Sequence, residues 1–177
     1  PSLPDEIKCH FISLDILFIC LPRDLILYFK NIFSKLNILI DQIICSSYAK
    51  SINYKNNLSL SGHVSFIDVG FNKTSIISYL NNKIICTDIL LIGGNHITKD
   101  ISAVLKIDLD SSERIKLNFD QNPKILNEQN ISKDILQKII FARTEEILEL
   151  CTKSIKSNLF LNYMFKMILT GEGSRVL

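Results

Sequence analysis

The stretch HVSFIDVGFNKTSIISYL, residues 63–80, decides the fold of this chain. Val64 to Ile67 form an alternating apolar run that reads as a buried strand ending in Asp68 and Gly70. Ser75 to Leu80 then heads back beside it, with Asn81-Asn82 as the next turn. An acid at the tip of a central strand, followed by a glycine-containing hairpin, suits a phosphate–metal group. The carboxylate orients a hydrated cation, and turn N–H groups face phosphate oxygens. The same residues also describe an ordinary hairpin with a polar tip, because short loops match such patterns by chance.

Working outward, 177 residues allow one domain or one and a half, and a hydrophobic content of 47% supplies a sizeable core. With 20 basic and 18 acidic residues the net charge is +2, which gives no electrostatic footprint for nucleic acid. The five cysteines, Cys9, Cys20, Cys45, Cys86 and Cys151, are widely spaced, odd in number and set among apolar neighbours. That pattern points to reduced core thiols in a cytosolic protein rather than disulfides or a zinc site. No signal peptide is visible, and Asp15 and Pro22-Arg23-Asp24 break the longest apolar region, Phe11 to Phe29, so it is not a membrane span. The chain starts at Pro1 without Met and stops just past a glycine turn where a helix is expected, so it reads as a piece of a longer protein.

Before the central stretch, Cys9–Leu21 reads as a strand, and Pro22 with Arg23-Asp24 opens a helix at a position proline tolerates. Leu25, Ile26, Phe29, Ile32, Phe33 and Leu36 give that helix an apolar stripe, Asn37 caps it, and Ile38–Cys45 reads as a second strand. Residues 9–45 are therefore expected to form a βαβ-like unit. A short helix over Ser46–Asn53 follows, then a polar boundary loop to Ser61. After the hairpin, Lys83–Leu91 is a third strand ended by Gly93-Gly94. Asn95 or His96 caps a helix whose inner face is Ile97, Ile101, Val104 and Leu105. Ser111-Ser112 starts a helix carrying Glu113, Arg114 and Lys116, and Asn118–Asn130 is a polar surface connection. Ile131–Ile155 is the longest helical pattern, with Ile135, Ile139, Ala142, Ile147 and Leu150 inward and Glu145, Glu146 and Glu149 solvated. Phe165–Leu169 is a last strand running into Thr170-Gly171-Glu172-Gly173-Ser174. These elements describe an α/β domain with a mixed sheet.

Five motifs in this order resemble the actin-like bacterial division family FtsA. FIDVG followed by SIISY looks like the family's second phosphate loop and strand pair, and LLIGGNHITKDIS, residues 90–102, resembles its glycine-glycine segment. SERIK, residues 112–116, is similar to the helix whose Glu and Lys face the adenosine ribose. MILTGEGS, residues 167–174, looks like the adenosine motif. LPRDLILYFKNIFSKLNILIDQIICSSYAKS matches the helix–strand–helix between subdomains 1C and 2A.

The resemblance implies an actin-like (ribonuclease H-like) ATPase domain with a mixed sheet over residues 46–177, a 2A core with a 2B insertion at about 100–160. Residues 1–45 would then be the back half of a small α+β 1C subdomain. It implies ATP and Mg as cofactors, with Asp68 holding the metal through water. Gly70, Lys73, Thr74, Gly93, Gly94, Glu113, Lys116, Gly171, Gly173 and Ser174 join Asp68 around the nucleotide. Glu113 and Lys116, at i and i+3, equally suit a surface ion pair, and His96 suits a helix cap. The implied partners are the FtsZ tail peptide, through Arg143 with Phe141 and Lys138, a second copy in a protofilament, and other divisome proteins through 1C. The implied place is the inner face of the cell membrane at the division septum. The first phosphate loop of subdomain 1A and the membrane-anchoring amphipathic helix would lie outside this chain.

The chain also departs from the family. Phe71, Asn72 and Lys73 stand where two further glycines and a Thr are usual, and Glu172 replaces a glycine of the adenosine turn. The Asn118–Asn130 connection is shorter than the family's, which trims the 2B strands. A divergent nucleotide site follows, with little or no ATP hydrolysis expected. The rival readings are an active actin-like ATPase and a pilus-assembly adaptor of the PilM type.

Overall fold

The computed structural model describes residues 11, 13, 16, 18, 20–118, 131–159 and 165–176. The chain falls into two compact units, Pro1–Cys45 and Ser46–Leu177. Among its described residues the first unit contributes one helix, α1 (Arg23–Lys35). Asn37 takes a positive φ of 56°, with the Ile38 amide on the Phe33 carbonyl and the Asn37 amide on the Ser34 carbonyl, a Schellman cap with Asn in the left-handed position. The expected βαβ unit is not found: the described residues of 9–21 and all of 38–45 lie outside any strand. A strand exists only through ladder hydrogen bonds to a neighbour, and an apolar run does not provide the neighbour.

The second unit is built on a four-stranded mixed sheet. Its elements are α2 (Ser46–Asn57), β1 (His63–Val69), β2 (Thr74–Leu80), β3 (Lys83–Leu90), α3 (Gly94–Leu105), α4 (Leu109–Asn118), α5 (Lys133–Leu159) and β4 (Lys166–Thr170), closed by a 3₁₀ turn at Glu172–Val176. The strand order is β3-β2-β1-β4, with β1 antiparallel to β2, β2 antiparallel to β3 and β1 parallel to β4. Asn81 and Asn82 both take positive φ, the geometry of the two-residue turn that follows strand twist. Helix α2 runs four residues further than its expected end, to Asn57. The expected surface connection at 118–130 lies, beyond Asn118, outside the described residues.

Strand periodicity sorts the core into two faces. Val64 and Phe66 of β1 with Ile77 and Tyr79 of β2 pack beneath Tyr48 of α2, while Ile67, Val69 and Ile76 meet Ile147, Cys151 and Ile155 of α5. The buried polar pair Ser65–Ser78, 2.8 Å apart across the β1–β2 ladder, satisfies itself. Burial raises the pKa of the Cys151 thiol to about 11, with the nearby Asp88 charge adding to the effect, so it stays protonated. Cys86 is buried as well, whereas Cys20 is exposed. His63 packs its ring against Phe165 at 5.2 Å, and burial lowers its pKa.

A third cluster joins α3, α4 and α5 through Ile97, Ile101, Ile115, Leu136 and Ile140. It corrects the expected inner faces. On α5 the inward residues are Leu136, Ile140, Ile147, Cys151 and Ile155, while Ile135 is 47% exposed and Ala142 and Leu150 also face solvent. Val104 of α3 is likewise exposed. A helix so rich in Ile and Leu offers two neighbouring apolar stripes, and the facing elements choose between them. Ile147→Ala is therefore expected to cost about 3 kcal/mol, and Ile135→Ala no more than about 0.5 kcal/mol. Urea unfolding of the two variants checks this, with equal slopes expected and only the midpoint moving.

Candidate nucleotide site

Five of the six glycines meet where the β1–β2 loop, the start of α3 and the β4 turn converge. The loop Gly70–Lys73 closes through the Gly70 amide on the Lys73 carbonyl at 2.9 Å. The first turn of α3 donates into it, Gly94 N–H to the Gly70 carbonyl at 2.9 Å and Asn95 N–H to the Phe71 carbonyl at 2.8 Å. A Cβ on Gly93 would lie 2.5 Å from the Gly70 oxygen, so only glycine permits this approach. Gly171, at φ +92°, would place a Cβ 2.4 Å from the Val69 oxygen and 2.6 Å from the Asp68 carboxylate. Gly173 and Gly94 close the cradle, with an added Cβ on Gly94 at 3.4 Å from the Gly173 Cα.

Polar side chains line this cradle. Lys116 of α4, only 4% exposed, donates to Glu113 Oε2 at 2.6 Å, Thr98 Oγ1 at 2.8 Å and the Gly94 carbonyl at 3.1 Å. Thr98 in turn hydrogen-bonds Glu113. Glu113 and Lys116 thus form a partly buried ion pair clamping α4 to the first turn of α3, rather than the surface pair the spacing allowed. His96 caps α3, its Nδ1 accepting from the Gly93 amide at 3.1 Å. Ser174 donates to the Gly171 carbonyl at 2.7 Å.

Two expected members stand differently. Thr74 is fully buried and donates to the Ile92 carbonyl at 2.7 Å, so its hydroxyl is turned into the core. Lys73 is exposed at the loop. Among the departures, Phe71 leaves its ring 60% exposed, Asn72 accepts from the Asn95 side chain at 2.9 Å, and Glu172 is solvent-exposed beside Arg175. The loop keeps its shape through backbone carbonyls, so the missing glycines are replaced by the docking of α3.

Asp68 sits at the end of β1 beside Thr170, its strand neighbour. Both of its carboxylate oxygens are taken by Lys50 of α2, at 2.8 and 3.1 Å. Sequence reasoning missed Lys50. The signal was the parity of β1, which puts Asp68 on the α2 face with Val64 and Phe66. This arrangement does not fit a resident divalent cation, because an ammonium already covers the carboxylate that would orient it. Among the described residues no three His, Cys, Asp or Glu side chains converge.

The expected partner residues lie away from this cradle. Lys138 and Arg143 border a groove of about 460 Å³ between α3 and α5, whereas Phe141, 64% exposed, lies outside that groove on an adjoining part of α5, where it shares a shallow site with Lys138, Asp134 and Gln137. Arg143 is spent within the fold: its Nε and Nη2 grip Asp100 of α3, and Nη1 reaches Glu146. Among the described residues no helix is long and apolar enough to cross a membrane.

The Cell division protein FtsA family model matches residues 65–159, more than half of the chain. The FtsA cell division protein of Streptococcus pneumoniae is 25% identical over 164 residues, covering 85% of this chain and 36% of that protein. The FtsA of Borreliella burgdorferi is 30% identical over 152 residues, covering 76% of this chain and 37% of that one. The chain thus spans somewhat over a third of the length of these relatives. Among solved structures, ADP-bound MreB5 of Spiroplasma citri superposes with a TM-score of 0.64 at 14% identity, over 87% of this chain and 55% of that one. The PilM–PilN pilus biogenesis complex gives 0.60 at 16% identity, over 78% and 38%. The ADP complex of the archaeal actin homolog Ta0583 gives 0.56 at 16% identity, over 75% and 46%. The fold is actin-like.

Because Lys116 is buried and Glu113 supplies its counter-charge, Glu113→Ala leaves an uncompensated ammonium. It is expected to destabilise the protein by about 2 kcal/mol, below the range for a fully buried pair since Glu113 is partly exposed. The denaturation midpoint of the variant against the wild type measures the loss.

Proposed function

Since the chain belongs to the FtsA family of cell division proteins, we propose that it supplies the second domain of an actin-like adaptor that binds ATP and links FtsZ to the membrane. The observation that carries the nucleotide half is the glycine cradle. Glycines from three separate elements let the β1–β2 loop, the head of α3 and the β4 turn pack backbone against backbone, which brings Asp68, the exposed Lys73 and the Glu113–Lys116 pair to one end of the sheet, where a phosphate group could be met by side chains. ADP-bound relatives of the same fold agree with this reading. In it, residues 46–177 are the 2A and 2B subdomains, with 2B at about 100–160, and residues 1–45 belong to 1C. The nucleotide orders the domain, and hydrolysis is slight because this domain supplies only one wall of the site.

The partner half rests on the α3–α5 groove. Arg143 holds the two helices together through Asp100, which leaves Lys138 at the groove's edge, and the exposed Phe141 beside it on α5, to meet an acidic, partly apolar FtsZ tail. Self-association into protofilaments, divisome contacts through 1C and a location at the septal membrane complete the proposal. The pilus-adaptor reading shares the fold alone, whereas the sequence-level relatives are division proteins.

Titration of the intact protein with a fluorescent ATP analogue is expected to saturate and to be reversed by unlabelled ATP; no binding at millimolar nucleotide rejects the nucleotide half. Combined Lys138→Glu and Phe141→Ala substitutions are expected to weaken binding of a synthetic FtsZ tail peptide at least tenfold, with fluorescence anisotropy as the readout. Unchanged affinity sinks the docking surface.

A further inference from the structure

The pairing of Lys50 with Asp68 has a chemical consequence for the phosphate site. Strand parity sends the Asp68 carboxylate to the α2 face, and α2 is fixed there by Ser51, whose hydroxyl shares a buried hydrogen bond of 2.9 Å with Tyr79. Lys50, the residue before that anchor, lays its ammonium across both oxygens of Asp68. Asp68 is only 16% exposed, while the Lys50 side chain remains 49% exposed beside the loop. An uncovered carboxylate at this point would repel a polyphosphate, and a hydrated divalent cation is the usual remedy. Here the remedy is covalently part of the chain. An ammonium carries three N–H donors, and the carboxylate takes two of them. The remaining donor and the positive charge are left for an oxygen of the ligand, the point-charge manner in which lysine binds phosphate.

We propose that Lys50 is the resident cation of this site, so that a nucleoside polyphosphate binds with Lys50 bridging Asp68 and a phosphate oxygen and without a divalent metal. The inference rests on the nucleotide reading above and adds to it the nature of the counter-ion. Lysine brings one positive charge where Mg2+ brings two, so metal-free affinity is modest but real.

The test titrates the intact protein with a fluorescent ATP analogue, in excess EDTA and again in millimolar Mg2+, for the wild type, Lys50→Ala and Lys50→Arg. Alanine is the best helix former, so the half-exposed position in α2 tolerates it, and circular dichroism checks the fold. The wild type is expected to bind within threefold equally in the two conditions. Lys50→Ala is expected to lose at least tenfold in EDTA and to recover on adding Mg2+, because the uncovered Asp68 can then orient the metal. Lys50→Arg keeps the charge and is expected to keep metal-free binding. Wild-type binding that requires Mg2+, or a Lys50→Ala variant that matches the wild type in EDTA, overturns the proposal and leaves the nucleotide reading standing. Absence of saturable binding in both conditions overturns both.

Discussion

Two backbone hydrogen bonds hold this domain's site in one piece, those from Gly94 and Asn95 at the start of α3 to the carbonyls of Gly70 and Phe71. Each contributes only about 1 kcal/mol net, but together they fix where a helix meets a hairpin. Gly93 must be glycine for that approach to close, and Gly94 is then carried up to Gly173 on the far side. Lys116 reaches the Gly94 carbonyl because α3 is seated there, and Glu113 and Thr98 complete its shell. Loss of the docking would free the loop and remove the reason for burying Lys116.

The same docking explains how a loop lacking the family's usual glycines keeps its course. Phe71 and Asn72 contribute a backbone carbonyl and a side-chain amide oxygen to α3, and the Phe71 ring is left at the surface. The amides of Gly94 and Asn95 at the head of α3 are therefore engaged by protein carbonyls. Lys50 stands at the Asp68 end and exposed Lys73 at the loop.

Much of the α/β domain was legible in the sequence because its signals are local. The alternation in His63–Leu80, the Asn81-Asn82 turn and the Gly93-Gly94 stop each follow from what a few consecutive residues allow, and all three stand where they were expected. The residues that form the cradle were likewise visible as glycines in strand–turn contexts. In the first unit the helix and its Asn37 cap were legible and the strands were not: Ile38–Cys45 has the apolar content of a strand, but pairing is a property of two segments and no periodicity reports it. The inward stripe of α5 was legible in part: Ile139 and Ile147 do pack inward, whereas Ile135, Ala142 and Leu150 face solvent and Leu136 and Ile140 take the inner place against α3 and α4, a choice that only the facing elements make.

By itself, then, the sequence determined the mixed α/β domain, the order of its motifs and the positions where backbone must lie bare, because these depend on side-chain size, turn geometry and spacing along the chain. Tertiary structure alone decided how the charges are used. Lys50 and Asp68 are 18 residues apart, Arg143 and Asp100 are 43 apart, and Thr98 and Lys116 are 18 apart. An ion pair needs two groups within a few ångströms, and only the crossing of helices over a sheet of defined parity sets that distance.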